Sequence, residues 1–437
     1  MADLRNSAYP PPRTAWPTLL LLVGAVLLAY VDRQVIAVLV EPIRTDLGLT
    51  DTQFGLVQGP AFALAYALAA LPLGRLVDRR SRRNLILGGL AVWSASTLLC
   101  AVATDFWTLL LFRAGVGMGE ACLIPAVFSL IPDLFPPERR ASAYAVYMAT
   151  VVPGVSLSLA FAGSALAWIE RGIPFLPELA QSWRLTFVLV ALPAPLFAGL
   201  FLLMREPARQ ERVAAGGAGS AIISYIRRNL PLLAAVGLGG ALASVAFTAW
   251  LAWLPALMGR RFGVPPAEAG LWGGIAAAAA SVIGGLLAAR VAARLRGRPA
   301  PEMSAALLLA GLALPAAAAV FAATSPAQVL GAMGVQAVAW VAVLTLWPVM
   351  IAAVTPNEFR GQIVALVKLV EYLLISVAAV AVGMLSDHFF PRPEQFPTAL
   401  YIVAAVAALG SAVALALGQG RVRAGTATDA PPAEATR

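Results

Sequence analysis

The chain has 437 residues, 60% of them hydrophobic and 12% charged, with 31 Lys and Arg against 22 Asp and Glu for a formal net charge of +9. At a mean hydropathy of +0.82, this composition excludes a water-soluble globular domain and a disordered chain, and describes a protein whose solvent is lipid. Cys100 and Cys122 both lie in apolar runs and His388 is the one histidine, so there is neither a disulfide framework nor a metal-ligand spacing, and no metal or other cofactor is expected.

Apolar runs of about 18 to 28 residues suffice to cross about 30 Å of hydrocarbon at about 1.5 Å per residue. Twelve occur, over 17–40, 55–74, 85–103, 107–131, 141–168, 185–204, 231–258, 269–289, 303–322, 328–354, 361–385 and 398–418. They predict an all-α membrane protein of two six-helix halves related by pseudo-two-fold symmetry. The expected organisation is an N-terminal bundle over 1–204, a linker over 205–229, a C-terminal bundle over 230–418 and a disordered tail over 419–437. The first run is too long and too charged for a signal-peptide core, so it is read as a span.

Of the 31 basic residues, 22 fall in the termini and even-numbered loops, six in odd-numbered loops, and Arg33, Arg113 and Lys368 inside spans. That asymmetry predicts cytoplasmic termini in a multi-pass plasma membrane, the inner membrane of a bacterium. It also accounts for the basic balance through loops facing anionic lipid, which removes the case for nucleic acid as a partner.

In chain order, the first unusual stretch is AYVDRQVIAV, 29–38, which places Asp32 and Arg33 inside span one. Each charge costs about 2.5 to 3.5 kcal/mol near a helix centre, so such a pair marks a functional site by default. After span two comes GRLVDRRSRR, 74–83. It resembles motif A of the major facilitator superfamily: Gly74, Leu76, Asp78, Arg79, Arg82 and Arg83 match, and Ser81 replaces the second glycine. The resemblance implies the twelve-span transporter fold, alternating access, and a conformational switch formed by Gly74, Asp78, Arg79, Arg82 and Arg83. Gly74 is expected to permit close helix approach and Asp78 to engage a neighbouring helix terminus in one conformation. The equivalent loop of the second half, GGLLAARVAARLRGR, lacks the acid.

Span four carries RAGVGMGEACLIPA, 113–126. Arg113 and Glu120 are seven residues apart, which puts them within about 20° on one helix face and about 10 Å apart along the axis. Gly115, Gly117 and Gly119 between them clear room for a neighbouring helix. Arg33 and Arg113 reach similar depth, so the charges of span one are expected to be balanced by those of span four. Across all spans Asp32, Glu120 and Glu371 match Arg33, Arg113 and Lys368. Unpaired, these six would cost about 15 to 20 kcal/mol, more than a typical folding stability.

Two readings of the cluster stand side by side: a static network locking spans one and four together, or a site whose protonation and pairing change during transport. AYVDRQ, the GEA of span four and IPDLFPPERRASAYAVY after it resemble the spinster branch of the superfamily, known for lysophospholipid and sphingosine 1-phosphate transport. That resemblance implies a coupling and substrate-binding centre at Asp32, Arg33 and Glu120. Glu120 and Asp32 are the candidates for proton coupling. Arg33, whose forked donors suit phosphate, and Arg113 are the candidates for an anionic headgroup.

The linker is rich in Gly, Ala and Arg, and a short amphipathic helix on the membrane surface is expected over 221–228. In spans seven and ten, Trp250, Trp253, Trp340 and Trp347 are candidates to line an apolar chamber, with Gln336 as a polar contact; plain packing explains each tryptophan equally well. Lys368 and Glu371, three apart on span eleven, are expected to satisfy each other, and His388 to be interfacial. The expected function is a secondary active transporter, symporter or antiporter, proton-coupled and moving an amphiphilic anion such as a lysophospholipid. The alternative on the same fold is a cation-coupled symporter of small organic anions. An intramembrane enzyme or receptor is disfavoured, because no HExxH, GxGD or GxS with a membrane histidine occurs. The expected partners are membrane lipids, the amphiphilic substrate and protons, with a monomer as the working unit.

Overall fold

The computed structural model describes residues 9–172, 182–210, 219–298 and 300–428. The described residues form helices and no strand, and twelve of the helices are long and apolar enough to cross a membrane. Spans one to six are Pro12–Val38, Asp51–Val77, Arg82–Cys100, Phe106–Leu134, Pro137–Glu170 and Trp183–Leu203. Spans seven to twelve are Ile222–Phe262, Pro266–Arg294, Pro301–Ala322, Pro326–Val354, Gln362–His388 and Pro393–Val422.

Several spans are interrupted where the apolar pattern runs on unbroken, and proline is the common cause. Span four divides into Phe106–Glu120 and Leu123–Leu134. The carbonyl of Ala121 would be bonded by the amide of residue 125, which is a proline and has none. In the same way Pro42 ends the helix of span one at Val38, Pro193 splits span six after Ala191, and Pro315 splits span nine after Ala310. The surface helix expected over 221–228 does not occur as a separate element. A single helix, Gly219–Phe262, carries that sequence directly into span seven. Likewise residues 419–428, expected to be disordered, continue the helix of span twelve through Thr428; the rest of the expected tail lies outside the described residues.

By packing, the chain forms two compact units. The first comprises 1–215 with 251–278 and 376–399, so the ends of spans seven, eight, eleven and twelve nearest the odd-numbered loops belong with the six N-terminal spans. The second comprises 216–250, 279–375 and 400–437. Within the first unit span one packs chiefly on span five, and span four lies between spans two and three. Within the second, span ten is the main partner of span nine.

Candidate functional site

Span four starts after Asp105, which caps its helix by accepting from the backbone N–H of Trp107 at 2.8 Å and of Thr108 at 3.0 Å. The bonds from Thr108 and Trp107 outweigh desolvation and hold the Asp105 carboxyl below its ordinary value. Two turns further in, Arg113 and then Glu120 face the core of the first unit. The intervening glycines serve two neighbours: a Cβ on Gly119 would lie 2.5 Å from the backbone N of Trp93 on span three, while Gly117 abuts the Phe62 backbone on span two.

This close packing brings the four charges of spans one and four together crosswise. Arg33 Nε donates to Glu120 Oε2 at 2.6 Å, and Arg113 Nη1 to Asp32 Oδ1 at 3.4 Å. Thr97 of span three donates to Asp32 Oδ2, completing a polar contact that the sequence does not advertise. The two pairs are not equivalent. Side-chain exposure is 2% for both Arg113 and Asp32 and nil for Glu120, whereas Arg33 keeps 15%. Its guanidinium carbon lies 4.7 Å from the ring centre of Phe62, 5.2 Å from that of Tyr30 and 5.3 Å from that of Tyr66, distances at which cation–π attraction is significant. Glu120 is the last residue before the break in span four, and its Oε1 is buried with no hydrogen-bond partner among the described residues.

The tryptophans of the second half divide between the units. Trp253, in the first, is fully buried beside Phe54 and Phe396, at ring-centre distances of 6.0 and 5.5 Å. Trp250, Trp340 and Gln336 are buried in the second, and among the described residues neither the two indole N–H groups nor the Gln336 amide has a hydrogen-bond partner. Trp347 differs: its Nε1 donates to the Val236 carbonyl at 2.9 Å, and its indole lies over Gly240. Lys368 and Glu371 pair at 2.6 Å.

The motif between spans two and three is built around Arg82. It is 1% exposed and binds Asp133 of span four, the Ser129 carbonyl at 3.1 Å, Glu206 at 3.1 Å and the Pro207 carbonyl at 2.9 Å. Arg83 reaches the Met204 carbonyl at 3.3 Å. Arg209 in turn donates to the carbonyls of Val77 at 2.5 Å and Arg80 at 2.8 Å, capping the end of the span-two helix. The segment after span six is thereby strapped across the ends of spans two, three and four. Ser81, the departure from the family pattern, caps the span-three helix through the Asn84 N–H and donates to Glu206. Gly74 does not permit a close approach here, since a Cβ on it would meet nothing within 4 Å. Arg79 is exposed, and the Asp78 side chain lies outside the described residues.

A second charged cluster in the first unit was not anticipated from sequence. At the odd-loop side, Arg260 of span seven donates to both carboxylate oxygens of Asp51 at 2.6 Å and to Glu41 at 2.6 Å. Asp387 of span eleven accepts from the backbone N–H of Asp51 at 3.1 Å and of Thr52 at 2.7 Å, and Ser386 donates to Asp51 at 2.6 Å. The groups surround a cavity of about 260 Å³. Beneath them Gly55, Gly59 and Gly383 let the helices touch backbone to backbone, with a Cβ on Gly55 falling 2.6 Å from the Ala379 carbonyl oxygen.

Comparison with known proteins accords with this architecture. The crystal structure of a bacterial homologue of the human lysosomal transporter Spinster, inward-facing and unoccupied, superposes with a TM-score of 0.81 at 26% identity, covering 97% of this chain and all of that one. An MFS-type efflux pump of Mycolicibacterium smegmatis is 31% identical over 297 residues, 66% of this chain and 64% of the pump. The D-galactonate transporter of Escherichia coli O6:H1 is 29% identical over 225 residues, 52% of this chain and 48% of that protein. The matched stretch thus spans about half to two thirds of these two relatives. The sequence model of the Major Facilitator Superfamily matches residues 22–301, and with more than half the chain inside that match, it belongs to this superfamily of multi-pass membrane transporters.

Proposed function

We propose that the chain is a proton-coupled carrier of an amphiphilic anion, working by alternating access with both termini cytoplasmic. The observation that carries this reading is the Arg33–Glu120 pair at the break in span four, in which the cation alone retains exposure. An anion entering the first unit meets Arg33 before the other three charges. The surrounding rings of Tyr30, Phe62 and Tyr66 give an apolar wall to a group that follows a charged head. The anion competes with Glu120 for the guanidinium, and a carboxylate that loses its cation in a low-dielectric site is satisfied only by taking up a proton. Substrate and proton affinities are then linked reciprocally. Asp32, closed against Arg113 and Thr97, tunes this exchange rather than carrying it.

The experiment is substrate binding and proteoliposome flux between about pH 5 and about pH 8 for the parent and Glu120→Gln, with lysophosphatidic acid as the probe. Glu120→Gln is expected to bind with little pH dependence and to ignore an imposed proton gradient. Flux that still follows the gradient overturns the assignment. A second reading, a cation-coupled symporter of small organic anions, draws support from the similarity to the D-galactonate transporter. Accumulation of galactonate in place of the lysolipid decides for it. Asp78→Asn, inserted normally, is expected to shift the conformer population and slow exchange. Thiol labelling of engineered cysteines that leaves both sides as accessible as in the parent counts against that switch.

A further inference from the structure

Of the 31 basic residues, 30 are arginine, and Lys368 is the only lysine in the chain. It lies in the middle third of the helix Asn357–His388 of span eleven. Its side chain is 51% exposed, which for a membrane lysine would ordinarily mean extending to the headgroups. This one turns the other way. Its Nζ lies 2.6 Å from Glu371 Oε2, one turn further along the helix, and 4.7 Å from the ring centre of Trp347 on span ten. Both partners are fixed from elsewhere in the second unit: Ser244 of span seven donates to Glu371 Oε1 at 2.5 Å, and the Trp347 indole is pinned by its bond to the Val236 carbonyl. Three helices thus hold one half-exposed ammonium inside the membrane layer, where exposure to hydrocarbon is too costly to persist and exposure to water is implied.

The choice of lysine in an otherwise all-arginine chain has a physical reading. A guanidinium three residues from Glu371 would fork onto the carboxylate bidentately and be consumed there. An ammonium is a point charge with three donors; it pairs with Glu371 by charge at 2.6 Å, with no hydrogen bond to Oε2 among the described residues, and keeps its donors for a further acceptor. We propose that Lys368 is an anion-binding group of the C-terminal spans, held ready by Glu371 and Trp347, and that it takes the phosphate or carboxylate of the transported molecule. This rests on the anionic-substrate part of the function proposed above.

Because Lys368 is unique, amine chemistry reports on it alone once the α-amino group is blocked. Full-length protein is treated with sulfosuccinimidyl acetate, and acetylation of the span-eleven peptide is read by mass spectrometry, alone and with saturating lysophosphatidic acid, galactonate or neutral monoacylglycerol. Lys368 is expected to label, and an anion to slow labelling at least about tenfold, the discrimination a charge-assisted hydrogen bond provides. Monoacylglycerol should give no protection. Lys368→Arg, folded as judged by its melting curve, is expected to bind the protecting anion about tenfold more weakly than the parent. Failure to label, equal protection by the neutral lipid, protection by no anion, or parent-like binding by Lys368→Arg each overturns the proposal. Protection by galactonate but not lysophosphatidic acid keeps Lys368 as the anion site while moving the substrate to the small-anion class. The Glu120→Gln gradient experiment judges proton coupling independently of all these outcomes.

Discussion

Arg33→Lys keeps a positive charge beside Glu120 but removes the planar fork and the delocalised face that lies among Tyr30, Phe62 and Tyr66. Anion binding measured by calorimetry is therefore expected to fall about tenfold or more; parent-like affinity there, with loss in Arg113→Lys instead, would reverse the two roles. Thr97→Val makes a different test, because it deletes the hydroxyl donor to Asp32 and leaves a buried carboxylate oxygen without it. A loss of about 1 to 3 kcal/mol is expected in a denaturation measurement, with the anion affinity little changed. The crosswise pairing of Asp32, Arg33, Arg113 and Glu120 was legible in the sequence because charges inside a span must balance, and depth restricts which can meet. Thr97 was not legible: a threonine in an apolar helix commonly bonds its own backbone, and this one also does so, at 3.1 Å from the Trp93 carbonyl. Arg260, Asp51 and Asp387 escaped notice for another reason. They sit at span ends, where a charge is cheap and its presence demands no partner.

At the level of helices, span four is fixed by contacts with no slack. Gly119→Ala would set a methyl 2.5 Å from one backbone atom and 2.7 Å from another, the Gly89 carbonyl oxygen. Backbone cannot swing aside as a side chain can, so a loss of about 1 to 3 kcal/mol is expected in thermal unfolding. Gly88→Ala is the matched control, since its Cβ would meet nothing within 4 Å; neutral or slightly raised stability is expected there. The twelve spans were readable because apolar run length alone specifies a membrane helix. Their interruptions were not, since a proline leaves the hydropathy of a run unchanged while deleting one backbone bond. The break after Glu120 is one such case: hydropathy draws span four as one rod, and the structure ends its first half at the coupling candidate. Similarly, Arg227 and Arg228 suggested a separate surface helix, but the helix Gly219–Phe262 runs on through Pro231 without a break and carries them into span seven.

For the molecule as a whole, the strap formed by residues 205–210 gives a pH-dependent constraint. Burial works to raise the Glu206 carboxyl, but hydrogen bonds from Ser81 and Arg82, together with the Arg82 charge, win and hold it below its ordinary value of 4.5. A depressed folded-state value means the contact adds stability above about pH 4.5 and loses it as pH falls through the lower, folded value. Protection of the strap amides, measured against intrinsic exchange at the same pH, is expected to fall below about pH 4.5 in the parent, and to be already low near neutrality in Glu206→Gln. Unchanged exchange in the variant would show that the arginines alone hold the segment. The cluster at the odd-loop side answers to a different variable. Its closure is made by Arg260 donating to Asp51 and Glu41 and by Asp387 accepting from the N–H groups of Asp51 and Thr52, groups that cannot part dry. Any opening there must draw in solvent to cover each charge and the N–H groups that Asp387 now caps, so the step consumes water as a reactant. An excluded osmolyte such as sucrose should slow turnover for that reason, while added salt, which screens the same charges, should quicken it; the carrier would then sense the osmotic and ionic state of the compartment it faces.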